Sequence, residues 1–82
     1  MVKQEVEKII KDALGDSSIS VSVEVPADKT NGDYSSNVAL VLAKQVKKNP
    51  LEVAQEIVSK IKPSKIFSKV EAVAPGFVNF YI

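Results

Sequence analysis

The sequence predicts a small α+β domain with three helices and three or four strands. Three observations lead to this fold class. Three segments repeat apolar residues at helical spacing, an early segment alternates apolar and polar residues, and the chain closes on two strand-like runs around a Pro-Gly turn. A length of 82 residues with 45% hydrophobic and 26% charged side chains suits one globular domain, so we expect residues 1–82 to form a single unit.

The first half begins with a helix at about residues 2–14, where apolar residues recur every three or four positions and Gly15 follows as a helix stop. Alternation from Ile19 to Val25 then predicts a half-buried strand that ends at Pro26. Residues 27–36 are rich in turn formers and predict the longest loop, with a short second strand near 32–35.

The second helix is predicted at residues 37–48, with Ser35 or Ser36 as its cap. Its run from Val38 to Ala43 is apolar nearly all round, which predicts that this helix is the most buried element.

The second half continues with a third helix, which is capped by Asn49, begins at Pro50 and ends before Pro63. Residues 66–73 and 77–82 then predict two strands of a hairpin, joined by a turn at 74–76.

Composition excludes several classes of function. The chain contains no Cys and no His, which excludes thiolate or imidazole metal sites and the usual nucleophile–histidine pairs, so we expect no metal site. The carboxylates are scattered, and we expect no catalytic activity from this segment. No apolar run approaches the roughly 18 residues of a membrane span, so we expect no membrane association and a cytoplasmic location.

Positive charge is concentrated in the second half of the chain. All eleven basic residues are Lys, and residues 44–69 carry seven of them against two Glu. The lysine ammonium is a point charge that attracts phosphate without a fixed geometry, so Lys44, Lys47 and Lys48 are candidate phosphate contacts. The alternative is that these lysines only form a solvated helix face.

The segment before the second helix is another candidate for phosphate binding. Free N–H groups at a helix start can hold a phosphate, and Ser35 and Ser36 could add hydroxyl contacts. The alternative is a plain capped turn with Tyr34 packed on the domain.

The final strand carries the most informative pattern. Alternation places Phe77, Asn79 and Tyr81 on one face, opposite an apolar row that suits a core. A nucleic-acid base can stack on such a ring and pair its edge with an amide, so we expect this row to face outward and to bind RNA. In the alternative interpretation, this face packs on another domain or on a second copy of the chain.

Three stretches in this order resemble the amino-terminal additional domain of arginyl-tRNA synthetase. They are Gly-Asp-Tyr-Ser-Ser-Asn-Val-Ala at 32–39, Leu-Ala-Lys at 42–44 with Lys-Asn-Pro at 48–50, and Val-Glu at 70–71 with Ala-Pro-Gly-Phe-Val-Asn-Phe at 74–80. Each stretch alone is weakly specific, whereas the ordered set is specific and covers nearly the whole chain. The catalytic signatures of that enzyme are absent, which leads us to expect a fragment of a larger synthetase.

The resemblance implies a two-layer sandwich, with a small antiparallel sheet and three helices on one face. It implies a non-catalytic domain that contacts the D-loop and outer corner of tRNA, with Phe77 stacked on a base and Asn79 bonded to its edge. The implied parent is an ATP-dependent arginine–tRNA ligase that uses ATP and magnesium, whereas this segment needs no cofactor. The implied partners are an arginine-accepting tRNA and the parent's catalytic body, and we expect a monomer.

Overall fold

The computed structural model describes residues 2–15, 21–61 and 67–82. Within these ranges the elements follow the order α1 (Val2–Leu14), β1 (Val23–Glu24), a 3₁₀ turn (Lys29–Asn31), β2 (Tyr34–Ser36), α2 (Val38–Val46), α3 (Pro50–Lys60), β3 (Lys69–Val73) and β4 (Phe77–Tyr81). The four strands described here form one antiparallel sheet in the order β1-β2-β4-β3. The predicted α+β class is confirmed.

The helices cover one face of this sheet, which confirms the two-layer arrangement. Val78 and Phe80 point from β4 into the core, and their partners in register on the neighbouring strands lie on the same side. The helices complete the core with apolar side chains at helical spacing. The buried apolar residues are Val6, Ile10, Val23, Val38, Ala39, Ala43, Val53, Ala54, Ile57, Val78 and Phe80.

The first helix ends as the sequence predicts. Gly15 adopts a φ of 70°, and its N–H donates to the carbonyls of Lys11 and Asp12 at 3.0 and 3.2 Å. Glycine adopts this left-handed backbone without the steric cost that a Cβ adds, so it is suited to end a helix here.

The first strand is shorter than predicted. Ile19, its predicted start, lies outside the described residues, and the strand is already over at Glu24. Val25 is 68% exposed, so the predicted inward position of this side chain is wrong. Pro26 has no N–H to donate to a neighbouring strand, and β2 offers only two paired positions to β1.

The prediction that the second helix is the most buried element is also wrong. Val41 and Val46 are 46% and 54% exposed, although Val38, Ala39 and Ala43 are buried. Three consecutive residues of β4, 78–80, are buried instead, because this strand lies between two others. The helices cover Val78 and Phe80, and Gly32 lies against Asn79 on the other face. A helix on the surface of a two-layer domain always turns one side to solvent, whatever its composition.

Neither Ser35 nor Ser36 occupies the N-cap position of α2, so the predicted cap is wrong. Asn37 occupies the N-cap position and makes no side-chain cap hydrogen bond. The Ser36 hydroxyl, one residue earlier, accepts the N–H of Val38 at 3.2 Å. The helix ends in a left-handed Lys47 with a φ of 56°.

The third helix has the predicted start. The Asn49 side-chain oxygen accepts the N–H groups of Leu51 and Glu52 at 2.9 and 3.4 Å, and Pro50 is the first helical residue. The helix ends at Lys60, and Pro63, its predicted terminator, lies outside the described residues.

The predicted hairpin is confirmed. β3 pairs with β4, and the paired residues run from Lys69 opposite Tyr81 to Val73 opposite Phe77. Ile66, the predicted start of β3, lies outside the described residues, and the strand begins at Lys69. A Cβ on Gly76 would lie 2.6 Å from the Cβ of Pro50, so the hairpin turn packs closely on the start of α3. This contact connects the turn that precedes Phe77 to the helical layer.

Replacing Asn49 with Ala should lower the free energy of unfolding by about 1 kcal/mol, because two N–H groups at the start of α3 lose their acceptor. Asn37→Ala is the matched control, since the side chain of Asn37 makes no cap hydrogen bond. Urea unfolding followed by circular dichroism measures both variants. Equal losses for the two asparagines would contradict the assigned role of Asn49.

Replacing Gly32 with Ala should destabilise the fold more than replacing Gly15 with Ala. Both glycines have a positive φ, of 96° and 70°, but only at Gly32 would a Cβ meet backbone, 2.8 Å from the Phe80 carbonyl oxygen. We expect a difference of about 1–3 kcal/mol, the usual cost of overpacking. The same urea experiment checks it, and similar midpoints for the two variants would show that the loop can move away from β4.

Candidate nucleic-acid interface

The sheet face opposite the helices is formed by alternate residues of all four strands. Ser35 on β2, Asn79 on β4 and Glu71 on β3 are paired across the sheet at one level. Because directly paired residues of antiparallel strands point to the same side, these three side chains share the face that the helices leave uncovered. We call this surface the open face.

Phe77, Asn79 and Tyr81 all belong to the open face, but their surroundings differ. Phe77 and Tyr81 are half-buried, whereas Asn79 is only 3% exposed. The prediction of three similarly open, outward positions is therefore wrong for Asn79: Gly32 lies against its Cβ, and alternation along one strand cannot predict the loop that lies there.

The loop formed by residues 28–33 packs against the second half of β4. Gly32 approaches the Phe80 backbone and the Cβ of Asn79, and the N–H of Asp33 donates to the Phe80 carbonyl at 2.8 Å. The Asp33 carboxylate in turn accepts the N–H of Ile82 at 2.8 Å. The loop therefore extends the β2–β4 pairing and fixes the end of β4.

Tyr81 is held by this loop. Its hydroxyl donates to the Thr30 carbonyl at 2.9 Å, and the Lys69 Nζ lies 4.4 Å from the centre of its ring. Lys69 also forms an ion pair with Glu71 at 3.0 Å, and hydrogen bonding and charge from Glu71 raise the pKa of Lys69. The half-buried ring of Tyr81 thus belongs to the open face, and its hydroxyl already has a hydrogen-bond partner.

The loop is itself ordered by Asp28. Its carboxylate accepts the backbone N–H of Thr30 at 2.9 Å and the Thr30 hydroxyl at 2.8 Å. These hydrogen bonds, the backbone one first, lower the pKa of Asp28 because they favour its charged form. Asp28 is thereby linked through Thr30 to the ring of Tyr81.

A cavity of about 300 Å³ opens on the other half of the strand, beside Phe77 and Asn79. Its lining combines apolar residues, most of them from the hairpin, with polar residues from four parts of the chain. The lining residues are Glu24, Pro26, Asn31, Ser35, Val73, Ala74, Phe77 and Asn79. The cavity thus brings together an aromatic ring and a carboxamide from one strand.

The carboxamide of Asn79 has a defined partner in this cavity. The Ser35 hydroxyl donates to the Asn79 Oδ1 at 2.8 Å across the β2–β4 pair. A terminal amide torsion is otherwise broad and roughly two-fold, so this hydrogen bond restricts the rotation of the carboxamide.

The five candidate phosphate contacts do not form one site. Lys44, Lys47 and Lys48 are exposed at the far end of α2, in the helical layer, and Lys48 lies 3.8 Å from Glu56. Ser35 lies on the open face, and Ser36 is 1% exposed with its hydroxyl bonded to α2. The nine residues of α2 alone extend about 13 Å.

The charge of the cavity lining also differs from that of the lysine-bearing end of α2. Its described lining contains one carboxylate, Glu24, and no lysine. Such a lining favours an uncharged or amine-bearing ligand group over a phosphate, because a carboxylate repels an anion at short range. Among the described residues, no three acidic, His or Cys side chains cluster closely enough to hold a metal ion.

Sequence reasoning missed Glu24, Asn31 and Val73 as cavity residues. A signal existed for Glu24, which is the outward position of an alternating strand, and for Val73, which pairs with Phe77 across the hairpin. No periodic signal exists for Asn31, because the path of a turn-rich loop depends on contacts distant in sequence. No helix in the described part of the chain has the length and apolar character needed to cross a membrane.

The comparisons with known proteins agree with the resemblance noted in the sequence. The family described as "Arginyl tRNA synthetase N terminal domain" matches residues 1–82. The arginine–tRNA ligase of Thermotoga maritima is 46% identical over 81 residues, which cover 99% of this chain and 15% of that protein. The arginine–tRNA ligase of Staphylococcus epidermidis is also 46% identical over 81 residues, with 96% and 15% covered.

Solved structures give the same result. The arginyl-tRNA synthetase of Thermus thermophilus superimposes with a TM-score of 0.88 at 25% identity, over all of this chain and 14% of that one. The enzyme from Plasmodium falciparum superimposes with a TM-score of 0.82 at 21% identity, over 99% and 16%, and supports the fold alone. This chain spans about 15% of the length of the curated relatives that it matches. It belongs to the family of arginyl-tRNA synthetase N-terminal domains.

Proposed function

We propose that this domain binds tRNA at its outer corner and D-loop, and so positions the tRNA for arginylation by a parent enzyme. Phe77 stacks on an unpaired base, and Asn79 forms hydrogen bonds to the edge of that base. The observation that carries this proposal is the cavity in which the Phe77 ring and the Asn79 carboxamide lie side by side on the open face.

The size and lining of the cavity support a base as the ligand. Its volume of about 300 Å³ is at the lower end of the range of about 300–1,000 Å³ found for small-molecule pockets, which suits one flat ring system. Apolar contacts from Val73 and Phe77 can cover the face of a base, while Asn79 and Asn31 offer both donors and acceptors. This combination is typical of single-stranded RNA recognition, in which splayed bases stack on aromatic rings.

The lysines have a separate role in this proposal. Lys44, Lys47 and Lys48 lie in the helical layer and attract the tRNA backbone without reading its sequence. Their contribution is diffuse and falls with salt, because counterion release governs such contacts. Ser35 acts at the cavity, whereas Ser36, which is buried, supports the start of α2.

The three residues of the row on β4 have different roles in this proposal. Phe77 and Asn79 contact the base directly. Tyr81 adds its ring to the same surface and holds the loop through its hydroxyl, since that group already donates to Thr30.

The parent is proposed to be an arginine–tRNA ligase that joins arginine to its tRNA with ATP and magnesium. The printed names of the curated relatives support this activity for proteins about seven times longer than this chain. In that enzyme the catalytic groups belong to another part of the polypeptide, and this domain supplies a contact that raises the effective concentration of the tRNA. We further propose that the parent is a cytoplasmic monomer.

Replacing Phe77 with Ala in the full-length synthetase should lower kcat/KM for tRNA arginylation by about 5-fold to 150-fold, which corresponds to the ~1–3 kcal/mol of one stacked base. Phe77→Leu, which keeps apolar bulk but removes the ring, should recover only part of this loss. Asn79→Ala should lower kcat/KM in the same direction, mainly through the KM for tRNA. Steady-state arginylation with varied tRNA concentration measures all three.

Val41→Ala is the matched control, because Val41 is an exposed apolar residue of the helical layer. Its kcat/KM should stay at the level of the unchanged enzyme. Unchanged arginylation in both the Phe77 and the Asn79 variants would exclude the proposed base contact. If light scattering then showed a dimer that Phe77→Ala dissociates, the open face would instead be a protein interface.

A further inference from the structure

The hydrogen bond between Ser35 and Asn79 has a role beyond holding two strands together. It joins the side chains of a register pair on the open face, at a donor–acceptor distance of 2.8 Å, and both residues line the cavity. Asn79 is only 3% exposed, so little of its side chain meets solvent.

The orientation of this carboxamide decides what a ligand meets. Its oxygen only accepts hydrogen bonds and its nitrogen only donates them, so a half-turn of the amide exchanges a donor for an acceptor at the same place. The Ser35 hydroxyl donates to the Oδ1, which directs the oxygen toward β2 and the Nδ2 away from that hydrogen bond.

The other neighbour of Asn79 in the sheet favours the same orientation. Glu71 is paired with Asn79 on the β3 side, and its carboxylate is an acceptor with a negative charge. A hydroxyl can donate or accept, whereas a carboxylate only accepts, so a carboxamide flanked by both is stabilised with its oxygen toward the hydroxyl. Lys69 forms an ion pair with this carboxylate on the open face, at 3.0 Å.

We infer that Ser35 is a positioning residue that, opposite the Glu71 carboxylate, holds the Asn79 carboxamide in one orientation, so that the cavity offers a hydrogen-bond donor at a defined position. This inference rests on the proposed function and adds a source of base selectivity to it. A base edge with an acceptor opposite the Asn79 Nδ2 is preferred over one with a donor there. Ser35 acts on the ligand through Asn79.

Loss of the hydroxyl removes one of the two groups that hold the carboxamide and loosens its orientation. In Ser35→Ala, binding of the preferred base weakens modestly and binding of disfavoured bases improves. We expect the discrimination between the best and the worst base to fall by about fivefold, the factor expected from one neutral hydrogen bond. Ser35→Thr keeps the hydroxyl and should retain discrimination.

The test uses the full-length synthetase and tRNA transcripts that carry each of the four bases in turn at each D-loop position. Discrimination is the ratio of kcat/KM between the best and the worst base. The variants are Ser35→Ala, Ser35→Thr, Asn79→Ala and the double variant with Ala at both positions. Ser59→Ala is the control, because the Ser59 hydroxyl also forms a local hydrogen bond, to the Glu56 carbonyl on α3.

The expected result is that Ser35→Ala reduces discrimination, that Ser35→Thr restores it, and that Ser35→Ala has no further effect once Asn79 is Ala. The inference is overturned if Asn79→Ala reduces discrimination but Ser35→Ala does not. It is also overturned if Ser35→Ala lowers kcat/KM equally for all bases. The same holds if Ser35→Ala lowers kcat/KM as much in the Asn79→Ala enzyme as in the unchanged enzyme, since either result indicates a structural role.

Failure of the proposed function gives a different result, in which neither Phe77→Ala nor Asn79→Ala changes arginylation of any transcript. If Ser35→Ala does not fold, Ser35→Cys keeps the side-chain volume and replaces the hydroxyl with a weaker donor. The same ratios for Ser35→Cys then decide between a positioning and a structural role.

Discussion

The structure depends on the placement of β4 between β2 and β3. A strand that pairs on both sides uses all its backbone hydrogen bonds within the sheet, and its two rows of side chains must then serve different surroundings. Val78 and Phe80 go to the core, and Phe67 packs on Phe80 with ring centres 5.2 Å apart. The alternate residues are thereby committed to the open face. The candidate site is thus a geometric consequence of how the core is built.

The loop before β2 determines which part of that face stays accessible. It is held at several points: Asp28 orders its first turn, Gly32 allows it to touch the β4 backbone, and Asp33 bonds to both Phe80 and Ile82. The loop therefore packs on the half of the strand that carries Tyr81, and the cavity opens beside the half that carries Phe77. Of the three residues in the row, Tyr81 therefore supports the loop, and Phe77 and Asn79 line the cavity.

Much of this fold follows from local sequence signals. Helical spacing gives all three helices, the Asn-Pro start of α3 and the Gly15 stop of α1 are correct, and the Pro-Gly turn identifies the hairpin. These features can be predicted because each depends on residues within a few positions of one another. The shared face of Phe77, Asn79 and Tyr81 is predictable for the same reason, since it follows from the strand period alone.

The features that could not be predicted depend on contacts distant in sequence. The short β1 reflects the length of its partner β2, and the exposure of Val41 reflects where α2 lies in the helical layer. The pairing of Ser35 with Asn79 joins residues 44 positions apart, and only the strand order brings them together. Grouping Ser35 and Ser36 as similar candidates missed that adjacent strand residues point to opposite faces.

The location of the lysines in the helical layer has a consequence for redesign. Lys44, Lys47 and Lys48 contribute charge at the end of α2, and the cavity beside Phe77 is lined by other residues on the opposite side of the sheet. Exchanging these lysines for glutamine changes the long-range potential of the domain and leaves every lining side chain in place. General attraction to polyanions and shape-based selectivity can therefore be tuned independently in this small scaffold.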